Sequence, residues 1–432
     1  MDSAFTCAGF IKKFSGFNFP HTQMERSHMN TTFKKALLAG SAIVAVGAMT
    51  SVAAHAAAVV PAAGTTTLTG TDTWNIDSGA GAVGANVTYN GAGAVSLTVT
   101  SSGGVTSAAN LGTVTVTSVA GANTLTVGDG IKAVTLTLNG AVSGDVTAND
   151  LNIVVDAAGA GAVGATVVAL GNVDLGSGTI SLDSDADGTA SFNVAGTAAQ
   201  TITGIINGAV AGDGVVNVTN TGGTVTFASN VGSGAQIGAL NIGGAAGTTA
   251  TVNFNGSVLL SNASTTGDIL IAGTDGADSV VTFKNTVTAG GGDIKLGAAG
   301  ATVDNNTLNF DASGGSYTVT GAIAGLSAND LNTINVTGSS KTVTFANGMG
   351  ANIDDINIGA GATLNNSGGG AITATTIDLS SGAELNIVTA ATVTGDINGN
   401  GTLDIDENTT VVGDIGDTND LTAIEVATGK VL

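Results

Sequence analysis

The sequence predicts an all-β chain wound as a right-handed parallel β-helix, a β-solenoid, with tandem β-sandwich modules as the alternative architecture. Three observations point there. Apolar and polar residues alternate with period two over short runs, which sends successive side chains to opposite faces of a strand. These runs recur every eight to twelve residues between Gly, Asn, Asp and Ser, too closely for crossover helices. Residues 216–243 (VNVTNTGGTVTFASNVGSGAQIGALNIG) also recur 118 residues later as 334–359 (INVTGSSKTVTFANGMGANIDDINIG). The offset is constant from Val216/Ile334 through Phe227/Phe345, then shifts by two, so that Leu240-Asn241-Ile242 matches Ile356-Asn357-Ile358. A unit that exposes an apolar edge is stabilised by stacking copies of itself along one axis.

In chain order, residues 29–35 (MNTTFKK) form a short basic leader and residues 36–52 an apolar run. Ala54-His55-Ala56 then supplies the small-x-small pattern of a signal-peptidase site. The expectation is a signal peptide over 29–56, too short and too rich in Ala and Gly for a permanent membrane span. Residues 1–28 precede the point where such a leader begins. They hold five of the twelve Phe and the single Cys, Cys7, and are read as an upstream extension from a start codon set too early.

Cleavage after Ala56 would leave residues 57–432 as the mature chain. All three His, the Cys and the single Arg are then gone, and five lysines remain: Lys132, Lys284, Lys295, Lys341 and Lys430. Thirty carboxylates face them, because Asp2 and Glu25 also leave, for a formal charge of −25. Such a surface repels nucleic acid and anionic lipid, so neither is an expected partner. Without cysteine there is no disulfide framework, and stability must come from stacked ladders.

Strands are expected at 85–89, 94–100, 112–119, 123–127, 133–139 and 151–156, with V-x-F triplets at Val225, Val252, Val281 and Val343. Residues 322–331 have scope for a helical turn or two at most. A sandwich core normally centres on several large aromatics, whereas this region offers roughly one aromatic in forty residues. Val, Ile, Leu, Ala and Thr, with Gly and Asn at corners, suit a thin solenoid interior better. With rungs of about 20 to 25 residues, the 118-residue offset would hold about five. The last triplets, Ile377-Asp378-Leu379, Leu385-Asn386-Ile387, Leu403-Asp404-Ile405, Val411-Val412 and Ile424-Glu425-Val426, are the most regular. Residues 427–432 read as neither a capping helix nor a polar closing strand, so an open backbone edge is expected there.

The leader, the Gly/Thr/Asn/Val-rich repeats and above all the closing segment (residues 374–381, ATTIDLSS; 393–403, VTGDINGNGTL; 412–416, VGDIG) resemble passenger domains of rickettsial surface-antigen autotransporters, of the outer-membrane protein B type. The resemblance extends loosely over 57–432. It implies an exported β-helical passenger that coats the cell, forms a surface layer and contributes to adhesion to host cells. Family members end in a transmembrane barrel with aromatic girdles, but no Phe, Tyr or Trp follows residue 346. A fragment, a split gene or a secreted relative is expected on that account.

Without His, Cys or Arg in 57–432, no Ser-His-Asp, Cys-His or zinc site can be assembled, and no enzyme is expected. One string fills the pattern of a calcium loop. Asp396, Asn398, Asn400 and Asp404 stand at positions one, three, five and nine, Gly401 at six, Leu403 at eight and Glu407 at twelve. A calcium hand needs helices on both sides, and residues 391–394 and 409–412 read as strands, so a turn between rungs is the competing reading. Residues 183–188 (DSDADG) give only the first half of such a loop, with Val194 where the Glu belongs. Calcium is the one cofactor considered, with weak calcium-dependent stabilisation as its expected sign. Functionally, the sequence predicts an exported cell-surface structural or adhesin protein that self-associates or meets a host-cell receptor. A divalent-cation-dependent surface-layer protein is the alternative.

Overall fold

Alternation is realised strand by strand. Val134–Leu138 (VTLTL) buries Val134, Leu136 and Leu138 and turns its threonines outward, and Asn123–Val127, Ala165–Ala169 and Ala190–Val194 follow the same rule. The computed structural model describes residues 58–59, 65–75, 85–90, 94–101, 107–117, 123–128, 133–143, 151–157, 164–185, 188–243, 248–261, 268–271, 277–298 and 303–432. Residues 1–56, where an upstream extension and leader are expected, lie outside the described residues.

Each strand pairs with the strand one turn later, and the described strand pairings are parallel. A string of sandwiches, built on antiparallel pairs, is thereby set aside in favour of a parallel β-solenoid. One turn reads Ile294–Leu296, Asn305–Asp311, Tyr317–Thr320, and the next reads Ile323–Gly325, Leu331–Thr337, Lys341–Phe345. Three strands per turn make three walls, here called first, second and third in that order. Long strands such as Val173–Asp183 and Thr392–Gly399 pass through a corner and serve two walls, which joins most strands into one large sheet.

The interior follows from register. On the third wall, Leu125, Ile153, Ile180, Ile206, Val231, Val258, Val287, Val319 and Phe345 lie one above another, all fully or nearly fully buried. On the second, Phe227, Phe254, Phe283 and Phe310 do the same. A buried side chain of this size contributes about 1.5–3 kcal/mol by leaving water. Asn366 interrupts the third-wall column between Phe345 and Ile387, and its Nδ2 donates to Gly370 O at 2.8 Å across the corner.

Three expectations are corrected. Turns run from 16 residues (Ala58 to Trp74) to 32 (Val287 to Val319) rather than 20 to 25, because corner lengths are free while wall strands are not. The 118-residue repeat does not span whole turns. Val216 stacks through Leu240, Ile269 and Ile294 to Ile323 on the first wall, whereas Ile334 stands on the second wall between Leu308 and Ile356. The two copies are thus four turns and one further wall apart. Residues 322–331 hold no helix: Ile323–Gly325 is a strand and Leu331 opens another. The 3-10 turn Ala312–Gly314 is helical instead, and among the described residues no helix is long and apolar enough to cross a membrane.

Candidate functional surface

With apolar residues turned inward, the outward positions carry the polar chemistry, and parallel register stacks like upon like. On the first wall, Asn217 Nδ2 donates to Asn193 Oδ1 at 2.7 Å and Asn241 Nδ2 to Asn217 Oδ1 at 2.8 Å. A second amide ladder climbs the second wall. Asn309 Nδ2 donates to Thr282 Oγ1 (3.3 Å), Asn335 to Asn309 Oδ1 (2.8 Å) and Asn357 to Asn335 Oδ1 (3.0 Å). Each amide has two N–H groups, so one per rung is left over from the ladder. These asparagines sit at the middle of triplets such as Leu240-Asn241-Ile242 and Ile356-Asn357-Ile358, a signal present in the sequence but not read as a ladder there.

Above Asn357 the ladder position is taken by Asp378 and then Asn398. Burial, and secondarily the charge of Asp355, lifts the Asp378 carboxyl above the ordinary carboxylate range. The third wall shows the same crowding on a larger scale. Asn365, Asn386, Asp404 and Glu425 are in register, with Thr363, Glu384 and Thr402 beside them. Burial first, then Asp404, Glu425 and Asp406, raises the Glu384 pKa. Asp404 is raised by burial, Asp406 and Glu425, against a lowering bond from the Ile405 backbone. The Oδ1 atoms of Asn365 and Asn386 have no hydrogen-bond partner on this wall. Cations are scarce nearby: Lys430 Nζ meets Glu407 Oε2 at 2.7 Å, and Lys295 Nζ meets Asp268 Oδ2 at 2.5 Å farther down.

The calcium-loop string is laid out along walls rather than around a point. Asp396 and Asn398 lie on Thr392–Gly399, Asn400 in the following corner, Asp404 on Thr402–Ile405 and Glu407 past its end. Asp396 Oδ1 accepts from Asp414 N at 2.9 Å, and the buried Asn398 Oδ1 accepts from Thr418 N at 3.0 Å. Glu407 takes Lys430, and Asp404 faces the acidic column of the third wall. Both flanks are strands, and among the described residues no three Asp, Glu, His or Cys side chains group to hold a metal. The string runs along one wall strand, through a corner and along the next. In the weaker run, Asp185 Oδ1 accepts from Gly188 N at 2.6 Å and Ser184 Oγ from Ala190 N at 2.9 Å. The Asp183 carboxyl there is raised by burial, then by Asp213 and Asp185, while Ala186 and Asp187 lie outside the described residues.

The architecture and surface define a class, an acidic parallel β-solenoid whose outer positions repeat from rung to rung. Comparison of the chain with protein-family models, curated proteins and solved structures finds no match.

Proposed function

We propose that residues 57–432 are the exposed solenoid of an exported bacterial cell-surface protein, acting like an autotransporter passenger that coats the cell and contacts host cells. The observation that carries this reading is the repetition of amide, hydroxyl and carboxylate groups in register over successive turns. A repeating face can meet a repeating or extended partner at many points, each weak, with the sum setting the strength. The leader at 29–56, and a mature chain without the residues of the common catalytic triads, support the same reading. The test uses intact cells labelled with antibody against 57–432, before and after mild protease treatment, together with adhesion of the purified protein to host-cell monolayers. Surface label removed by protease, and saturable adhesion, are the expected results. Retention in the cytoplasm overturns the proposal.

A second reading, a surface lattice held by divalent cations between copies, is favoured by the crowding of Glu384, Asp404, Asp406 and Glu425 on one wall. Neutralising that crowd from outside would relieve repulsion and join neighbours at once. Release of the protein from cells by chelator alone is its expected outcome, and retention in chelator dismisses it.

A further inference from the structure

The corner between the second and third walls lengthens at one turn. On the lower turns, Val258 follows Phe254 by four positions and Val287 follows Phe283 by four. One turn later, Val319 follows Phe310 by nine, so five residues are added at the corner between second and third walls. The next turn keeps the wider span, since Phe345 follows Val336 by nine. The added residues therefore overhang the two narrower corners beneath. A cavity of about 340 Å³ lies under this ledge, lined by Asn255, Lys284 and Asn285 from below and Ser313, Gly314, Ser316 and Tyr317 from above.

We propose that this cavity binds a carboxylate-bearing sugar, a uronic or sialic acid residue, with Lys284 as the counter-ion for its carboxylate. The inference rests on the step in the walls and not on the surface reading above. Charge is the first argument. The mature region sets five lysines against thirty carboxylates, and Lys295 and Lys430 are both held in ion pairs, while Lys284 makes none among the described residues. An unneutralised cation in a cleft of a strongly acidic chain is a local reversal of sign, which selects an anion there against the repulsion of the rest.

The donor set is the second argument. Asn285 Oδ1 already accepts from Thr286 N at 2.8 Å, which leaves its NH₂ group as the outward-facing part. Asn255 and Asn285 side chains and the Ser313 hydroxyl are exposed around Lys284. Asp311, the acid beside the ledge, has Oδ1 engaged by the Ser313 N–H at 2.9 Å. One cation ringed by amides and hydroxyls suits a ligand with one carboxylate and several hydroxyls. A polyphosphate would call for more cations, and a metal ion for more carboxylates.

Rigidity and access complete the case. Tyr317 OH donates to Phe283 O at 2.8 Å, bridging from the longer corner to the shorter one below, and Ser316 Oγ accepts from Thr342 N at 2.9 Å. Gly315 N closes on Ala312 O at 2.9 Å, so the ledge is tied at both ends before any ligand arrives. Gly314 has no left-handed backbone, and a Cβ there would meet nothing within 4 Å. Neither strain nor packing asks for glycine, but a bare Cα keeps the mouth of the cavity open. The volume falls within the range of small-molecule sites, about 300–1,000 Å³.

The experiment titrates the full chain with N-acetylneuraminic acid, glucuronic acid, glucose and inorganic phosphate, followed by saturation-transfer NMR and calorimetry. Binding of at least one acidic sugar, about tenfold or more tighter than glucose and than phosphate, is expected. Lys284→Met and Gly314→Leu should each abolish it with unchanged circular dichroism, whereas Lys341→Met, on an exposed lysine of a higher turn, should not. No binding of either acid, equal binding of glucose or of phosphate, or equal loss in Lys341→Met overturns the proposal.

Discussion

The rings of Phe227 and Phe254 lie 4.8 Å apart with planes 7° from parallel. The stack continues to Phe283 at 5.2 Å and 16°, then loosens to 6.0 Å and 23° at Phe310, where the corner to the third wall lengthens. There Phe345, arriving from the third wall, meets Phe310 edge-on at 5.0 Å and 88°. The column is the spacing of parallel strands written in aromatic rings, and it ends where the corner lengthens and Phe345 closes on it edge-on.

Phe254 has a ring on each side, so Phe254→Ala removes both contacts and leaves a void that two walls cannot close. A loss of about 3–5 kcal/mol is expected. Because each turn touches only its neighbours, the damage should be local. Hydrogen exchange should accelerate in Thr224–Phe227, Thr249–Phe254 and Asp278–Phe283 and stay slow in Glu384–Ile387. Uniform acceleration along the chain would contradict it.

Asn335 donates to Asn309 and accepts from Asn357, a polarity that carboxylate cannot reproduce. Asn335→Asp should cost about 1–3 kcal/mol at pH 7, since two acceptors then face each other at ladder spacing. Below the carboxylate range the new side chain regains a proton to donate. Urea titrations at pH 7 and pH 3, each against the parent, should show the penalty shrinking at the lower pH.

Asp183, Asp378, Glu384 and Asp404 all have folded pKa values raised, by burial first and by like charge second. The folded state therefore holds more protons than the unfolded one at pH values just above the ordinary carboxylate range of about 3.9–4.3. Stability falls as pH rises through that window and is recovered on lowering it. Melting temperature should climb as pH is lowered from 7 toward the ordinary carboxylate range, and Glu384→Gln should raise it at pH 7 while flattening the slope. A melting temperature that drops over the same interval would refute this.

Gly399 has φ +110°, and a Cβ there would stand 2.1 Å from the carbonyl oxygen of Leu379, its partner one turn below. Gly399→Ala combines a strained backbone with a clash against main chain, and a loss of at least about 1–3 kcal/mol is expected. Gly70 is the control: a Cβ meets nothing within 4 Å, and Gly70→Ala should be neutral to about 0.5 kcal/mol. Chemical denaturation of the two variants side by side checks both.

Period-two alternation made the strands legible. The stretches 85–89, 123–127 and 151–156 match Ala85–Tyr89, Asn123–Val127 and Leu151–Asp156. It failed where side chains were small. Ser107–Val116 begins five residues before the expected 112, because Ser107, Ala108 and Ala109 give little contrast between faces, and it ends at Val116 rather than 119. Which wall a strand joins was not legible, since a V-x-F triplet fits any wall: Phe227 stands on the second and Phe345 on the third. The cavity beside Lys284 was hidden for the same reason. It exists only as a difference between corner lengths, and those acquire meaning once Val287 is known to pair with Val319.

The slip between the two related copies bears on how such a molecule grows. A stretch of gene pasted into this coil need not match a full circuit, because Val216 and Ile334 do the same job a third of a circuit out of phase. Lengthening then proceeds in small increments, and every increment rotates whatever lies above it about the long axis. Related molecules could thus present the same upper chemistry toward a different side while leaving the inside unchanged.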